Sequence, residues 1–136
     1  MTAPADSPAA AVGAYLDAFN RGDAAALAAC FAERGVILDG MAPHLWTGPS
    51  AAADWYRDVL AEGEHLGASG YRVTLGEPAH DVATGDSAYF VAPARMGVMI
   101  GGTPALQTGA TLTFALKREK GAWRIAGWAW SKGQFA

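Results

Sequence analysis

The sequence predicts an α+β domain: three helices packed on a curved, mostly antiparallel sheet. Three observations predict it. The first half carries apolar residues at helical spacing, between turn and cap signals. The second half, from residue 71 on, is rich in β-branched and aromatic residues and is cut by short glycine turns. The chain has 136 residues, the length of one domain, with no internal repeat, linker or low-complexity tail.

The elements follow in order. Residues 1–7 precede the first helix and are expected to be disordered. Ser7-Pro8 is a start signal: the hydroxyl can cap, and proline is tolerated at the first helical position. Val12, Tyr15, Leu16 and Phe19 then recur at i, i+3, i+4 and i+7, one face of a helix. Gly22 suits a left-handed turn and Asp23 can cap a second, short helix, whose apolar face is Leu27, Cys30 and Phe31. Val36-Ile37-Leu38 reads as a short strand that ends at Asp39-Gly40, and a loop follows. Gly48-Pro49-Ser50 opens a third helix with Ala52, Trp55, Tyr56, Val59 and Leu60 on its apolar face, ending near Gly63. Thr84-Gly85-Asp86, Gly101-Gly102 and Glu119-Lys120-Gly121 punctuate the rest. They delimit strands over 71–83, 87–100, 105–118 and 122–131, joined as an antiparallel meander.

Composition excludes several functions. Hydrophobic residues make up 51 % of the chain and charged residues 17 %. That is apolar enough to suggest a buried interface or a lined cavity. The net charge of −3 gives no electrostatic footprint for nucleic acid and no polybasic patch for a membrane. The N-terminal stretch has no basic region followed by a leucine-rich run, so no signal peptide is read there. No apolar run reaches membrane-spanning length. The single cysteine, Cys30, cannot pair within the chain, which makes a cytoplasmic location the default. His44, His65, His80 and Cys30 form no metal-ligand spacing.

Tyr15-x4-Asn20-x-Gly22-Asp23, Phe31-Ala32-Glu33 and Gly121-x-Trp123-Arg124-Ile125 carry a resemblance. With the order of elements, they resemble the NTF2-like superfamily, also called SnoaL-like, over about residues 8–131. That resemblance implies a cone-shaped single domain, 1–136, with an apolar pocket in the cone and no cofactor. It also implies a homodimer formed through the sheet. Phe90, Val98, Leu112 and Phe114 are expected to put apolar side chains on both faces of that sheet. The superfold hosts isomerases, cyclases, dehydratases, hydrolases and non-catalytic binders, so the fold does not name the reaction.

Among its members, the ketosteroid isomerases resemble the chain at two site positions. Tyr15 falls where that family keeps its oxyanion tyrosine, and Asp39 where it keeps its general base. Trp128 and Trp130 fall on pocket-lining positions of the last strand. The family's protonated aspartate has no counterpart, because no residue from 110 to 114 is acidic. Losing such a donor costs about 10²–10³ in rate, so steroid isomerisation is not expected.

The candidate catalytic residues are therefore Asp39, as acid/base, and Tyr15, as a polarising donor. A carboxylate at an apolar wall can take a proton, while a strand-end Asp before glycine can equally be a turn residue. The candidate ligand-binding residues are His44 and Trp46 at the mouth, with Trp55, Tyr56, Tyr89, Met96, Leu112, Phe114, Trp128 and Trp130 on the walls. The partner expected is a small apolar molecule. The enzyme reading is a cofactor-independent isomerase, cyclase or dehydratase. The other reading is a non-catalytic binder or dimeric scaffold, in which Asp39 and Tyr15 only bond each other or water.

Overall fold

The computed structural model describes residues 5–135. Of the stretch 1–7, residues 1–4 lie outside the described residues, the Ala5 carbonyl accepts from Trp123 N at 3.0 Å, and Ser7 caps the first helix. Helix α1 runs Pro8–Arg21 and α2 runs Ala24–Ala29. Ser7 Oγ accepts from Ala10 N at 3.1 Å, and Asp23 Oδ1 accepts from Ala26 N at 3.0 Å. Each supplies an acceptor to an N-terminal amide that has no partner within its helix. Strand β1 (Phe31–Leu38) pairs antiparallel with β2 (Leu45–Gly48), and α3 (Ala51–Leu66) follows. Then come β3 (Ala68–Leu75), β4 (His80–Thr84), β5 (Ser87–Ile100), β6 (Thr103–Glu119), β7 (Ala122–Ser131) and β8 (Gln134–Phe135).

The sheet order is β2-β1-β7-β6-β5-β3, with β4 also on β5 and β8 on β6. It is mixed, because β1 pairs with β7 in parallel while the other pairings are antiparallel. The α+β class and the three helices agree with the sequence reading. The helices are not all N-terminal, however: β1 and β2 precede α3, and strands dominate the chain. Phe31, Ala32 and Glu33 belong to β1 itself. The stretch 45–48, read as loop, is a strand too short to show a period. Helix α3 continues past Gly63 to Leu66. A β-carbon at Gly63 would meet Tyr71 Oη at 2.8 Å, so that glycine serves close packing, and Gly67, at φ 68°, makes the left-handed stop. Residues 71–83 are two strands, broken around Pro78. Both lie along β5: β3 pairs with its Ala94–Ile100 half and β4 with its Ser87–Val91 half.

The core lies between the helices and the inner face of the sheet, with Val12, Leu27, Ile37, Phe114 and Ile125 fully buried. Phe90, Val98, Leu112 and Phe114 are all buried within this one chain. They do not divide between two faces, because residues of even number on β5 share the inner side and Phe90 registers against Phe114.

Two local devices position the site. Asn20, at the end of α1, reaches across to β3. Its Nδ2 donates to Val73 O at 2.9 Å, and its Oδ1 accepts from Val73 N at 2.8 Å. The second device is on β6. Ala94 faces Ala110 and Met96 faces Gln107, so β6 carries one residue more than β5 over this interval. Gly109, at φ 75°, takes up the bulge. Ala110, Leu112, Phe114 and Leu116 point inward; beyond the bulge the parity reverses, and Gln107 is buried while Leu106 is exposed.

Candidate active site

Between α1, α3 and the inner sheet face lies a cavity of about 160 Å³. Its walls are Leu16, Phe19, Val59, Tyr71, Val73, Met96 and Leu112, with Trp55, Trp128 and Trp130. Four polar side chains join them: Tyr15, Asp39, Gln107 and Lys132.

Asp39 follows β1 directly. Strand parity gives it the face of Ile37, which is wholly buried, and turns Leu38 outward. Its main chain is anchored by His44: Asp39 N donates to His44 O at 3.1 Å, and a His44 ring nitrogen lies 3.1 Å from Asp39 O. The side chain is aimed by Trp55, whose Nε1 donates to Asp39 Oδ2 at 2.8 Å. Trp55 itself stands edge-on to Trp128, with ring centroids 4.8 Å apart and planes at 88°.

Tyr15 arrives from α1, on the face shared with Val12 and Phe19. Its ring packs against Phe31, Phe114 and Trp128 at centroid distances of 5.8, 6.0 and 6.2 Å. Burial pushes its phenol well above the ordinary value of 10.0, and the Asp39 charge adds to the rise. The Trp128 N–H lies near enough to the phenol oxygen to offset part of this. Among the described residues, Trp128 Nε1 closes no hydrogen bond. Tyr15 is thus a neutral donor at physiological pH.

Gln107 Oε1 accepts from Trp130 Nε1 at 3.2 Å and from Gly133 N at 3.0 Å. Lys132 is exposed at the mouth, where its stem crosses Gly40: a β-carbon there would meet Lys132 Cδ at 2.9 Å. Among the described residues, no group of three His, Cys, Asp or Glu side chains is placed to hold a metal ion.

A carboxylate held through one oxygen and a buried neutral phenol therefore share one aromatic-lined space. That arrangement suits a proton moved on or off an apolar molecule, with a donor ready for any charge that develops.

Residues 9–132 match the family model of the SnoaL-like domain. The chain belongs to this family. Several solved structures share its fold. A putative calcium/calmodulin-dependent protein kinase type II association domain from Thiobacillus denitrificans is 18 % identical, covering 98 % of this chain and 100 % of that one, with a TM-score of 0.76. A ketosteroid isomerase-like protein from Erwinia carotovora atroseptica is 25 % identical over 91 % and 92 % of the two chains, at 0.70. A hexachlorocyclohexane dehydrochlorinase from Novosphingobium barchaimii is 13 % identical over 93 % and 84 %, at 0.77. No curated protein matches the sequence. The likenesses at 18 % and 13 % speak for the fold alone.

Of the residues singled out in the SnoaL-like domain's sequence, Tyr15, Asp39, Trp55, Met96, Leu112, Trp128 and Trp130 meet in the cavity. Five do not line it. His44 sits at φ 75° in the turn before β2 and is exposed. Trp46 belongs to β2 and is buried against α3, donating to Asp58 Oδ2 at 2.8 Å. Tyr56 lies behind Phe19 and Trp55, its ring 6.0 Å from that of Phe19. Phe114 is a floor beneath Tyr15 with no exposed surface. Tyr89 is 51 % exposed on the opposite sheet face, as its position next to inward Phe90 requires. Gln107 and Lys132 were missed. The first is hidden by the bulge; the second lies just past the last strand pattern.

Proposed function

We propose that this SnoaL-like domain binds a small apolar molecule in the cavity and moves a proton on it, with Asp39 as acid/base and Tyr15 as the polarising donor. The observation that carries this is the shared cavity of the Asp39 carboxylate and the Tyr15 phenol. Trp55 occupies one oxygen of Asp39; among the described residues the other has no side-chain partner, so its lone pairs can receive a proton. Isomerisation, cyclisation or dehydration would use such a pair without a cofactor. The ketosteroid isomerase-like relative, at 25 % identity, is consistent with proton-transfer chemistry on this fold.

One observation favours a second reading. The Trp55 bond would equally hold Asp39 as a fixed polar post in a non-catalytic binder. Native mass spectrometry of freshly purified protein should reveal a retained small molecule. That molecule is then incubated with protein in D2O. Deuterium uptake or conversion by wild type, and none by Asp39→Asn, supports catalysis; an unchanged molecule leaves a binder.

The same reading includes a homodimer through the outer sheet face. Its support is a pair of cross-strand rows: Leu45–Leu38–Ala129–Thr113–Val91, and Val36–Gly127–Ala115–Tyr89–Val82. Leu45, Leu38, Val36, Tyr89 and Val82 in these rows are exposed large hydrophobics, the kind of patch that marks an interface. Light scattering at micromolar concentration should give twice the chain mass; a monomer would rule the face out as a dimer interface.

A further inference from the structure

Aromatics aside, Gln107 is the buried polar side chain among the described residues, at 6 % exposure, and it lines the cavity. An amide in an apolar wall is costly unless both of its ends are satisfied. One end is. Gln107 Oε1 accepts from Trp130 Nε1 at 3.2 Å and from Gly133 N at 3.0 Å. An indole N–H and a main-chain N–H can both be met only by the oxygen, so the amide cannot flip. Its Nε2, with two N–H groups, is turned away from them.

That other end is unmet: among the described residues nothing accepts from Nε2. It is not sealed in either. Trp128 Nε1 is the enclosed side-chain nitrogen or oxygen without a partner there, so Gln107 Nε2 reaches open space. With so little of Gln107 exposed to solvent, that space is the cavity. Met96 faces Gln107 from β5 and offers only a weak thioether acceptor. The donor is also well separated from Tyr15. Tyr15 packs on Phe114, and Phe114 to Gln107 is about 20 Å of strand along β6. Gln107 therefore meets a different part of a ligand from the part at Tyr15 and Asp39. The Asp39 charge on the same walls disfavours a second anion, so a neutral acceptor suits this neutral donor.

We propose that Gln107 Nε2 is a specificity-determining donor, which takes a neutral carbonyl oxygen on the end of an apolar ligand remote from Asp39. The ligand class is then an apolar ketone, ester or amide. The bulge at Gly109 gives Gln107 its inward position, while Trp130 and Gly133 hold the amide in the donating orientation. This rests on the cavity's being the ligand site, as proposed above, but not on Asp39 as a base.

The test uses the whole protein with ¹⁵N in its two glutamine side chains, Gln107 and Gln134. Gln134, exposed on β8, is the internal control. The probes are acetophenone and α-methylstyrene, alike in shape, with a methylene in place of the oxygen. Acetophenone should move the Gln107 NH2 resonances downfield; α-methylstyrene should not, and Gln134 should follow neither. Gln107→Glu keeps an oxygen for Trp130 and Gly133 but puts an acceptor where the donor was. It should weaken acetophenone about tenfold and leave α-methylstyrene within about twofold. Gln107→Met, which also lacks the donor, replaces it if the glutamate variant does not fold. Tyr15→Phe should leave the ketone-specific shift in place. A Gln107 NH2 unmoved by the ketone up to its solubility, moved equally by both probes, or moved only when Tyr15 is present overturns the proposal. Tighter binding of phenylacetate than of acetophenone also overturns it, and would assign the site to an anion paired with Lys132. Binding of α-methylstyrene with no preference for the ketone removes this donor and leaves the cavity as a ligand site. Binding of neither probe removes both.

Discussion

Replacing Asn20 tests how α1 is tied to the sheet. Asn20 makes two hydrogen bonds to one residue, Val73, at 2.9 and 2.8 Å, across 53 positions of sequence. Val73 is 8 % exposed and lines the cavity, so water does not readily replace both bonds. Each is worth about 1 kcal/mol net, so Asn20→Ala should cost about 2 kcal/mol. At a urea slope of about 1.5 kcal/mol/M, the midpoint falls by roughly 1.3 M. Asn20→Asp keeps the acceptor for Val73 N but turns a carboxylate oxygen toward Val73 O, so it should be at least as damaging as alanine. Hydrogen exchange should show the Val73 amide losing protection ahead of the amides of β6 and β7. A loss below about 0.5 kcal/mol for Asn20→Ala, or an Asn20→Asp variant as stable as wild type, would refute the reasoning.

Other outcomes are expected. Phe114→Ala removes a wholly buried ring that contacts Tyr15 and Phe90, and should cost about 3–5 kcal/mol in urea unfolding. Gly133→Ala should destabilise the domain and loosen Gln107, because a methyl there would collide with the Thr108 carbonyl oxygen; an unchanged urea midpoint would show that the close approach is not needed. The Tyr15 phenol is raised in the folded state, so the native protein holds its proton where the unfolded chain loses it. The associated stability is present below pH 10 and lost as pH rises further; Tyr15→Phe should flatten the fall in urea midpoint between pH 9 and 11. Burial likewise raises the half-buried Cys30 thiol above 9.0, so alkylation by iodoacetamide should be slow at pH 7 and accelerate past pH 9.

Much of the site was legible because two periodicities carry it. The helical face of Val12, Tyr15 and Phe19 placed the phenol, and strand parity with Ile37 placed Asp39. Trp128 and Trp130, two apart on β7, share a face for the same reason. Parity also argued against Tyr89, since Phe90 beside it had to face inward; choosing aromatics by type overrode that signal. Trp46 was illegible because four residues of strand show no period, and its N–H found Asp58 across the chain. Phe114 has the parity of Leu112 but lies under Tyr15, a depth that no one-dimensional pattern encodes. Phe90, Val98, Leu112 and Phe114 are buried by the chain itself; the exposed outer rows are visible only once the register of β1, β7 and β5 is known.

The extra residue on β6 buffers the cavity against a change in chain length. Removing one residue at 108–109 would close the bulge and leave Ala110 opposite Ala94 and Gln107 opposite Met96, the partners each has now. Straightening the bulge with every residue kept would do the opposite: all of β6 before Gly109 would slip by one, turning Gln107 out to solvent, bringing Leu106 inward and releasing the Trp130 indole. What keeps an amide at this wall is therefore the left-handed turn at Gly109, φ 75°, and not the count of residues. A side chain at 109 that resists that conformation would alter the lining from outside it, with no substitution in the walls themselves.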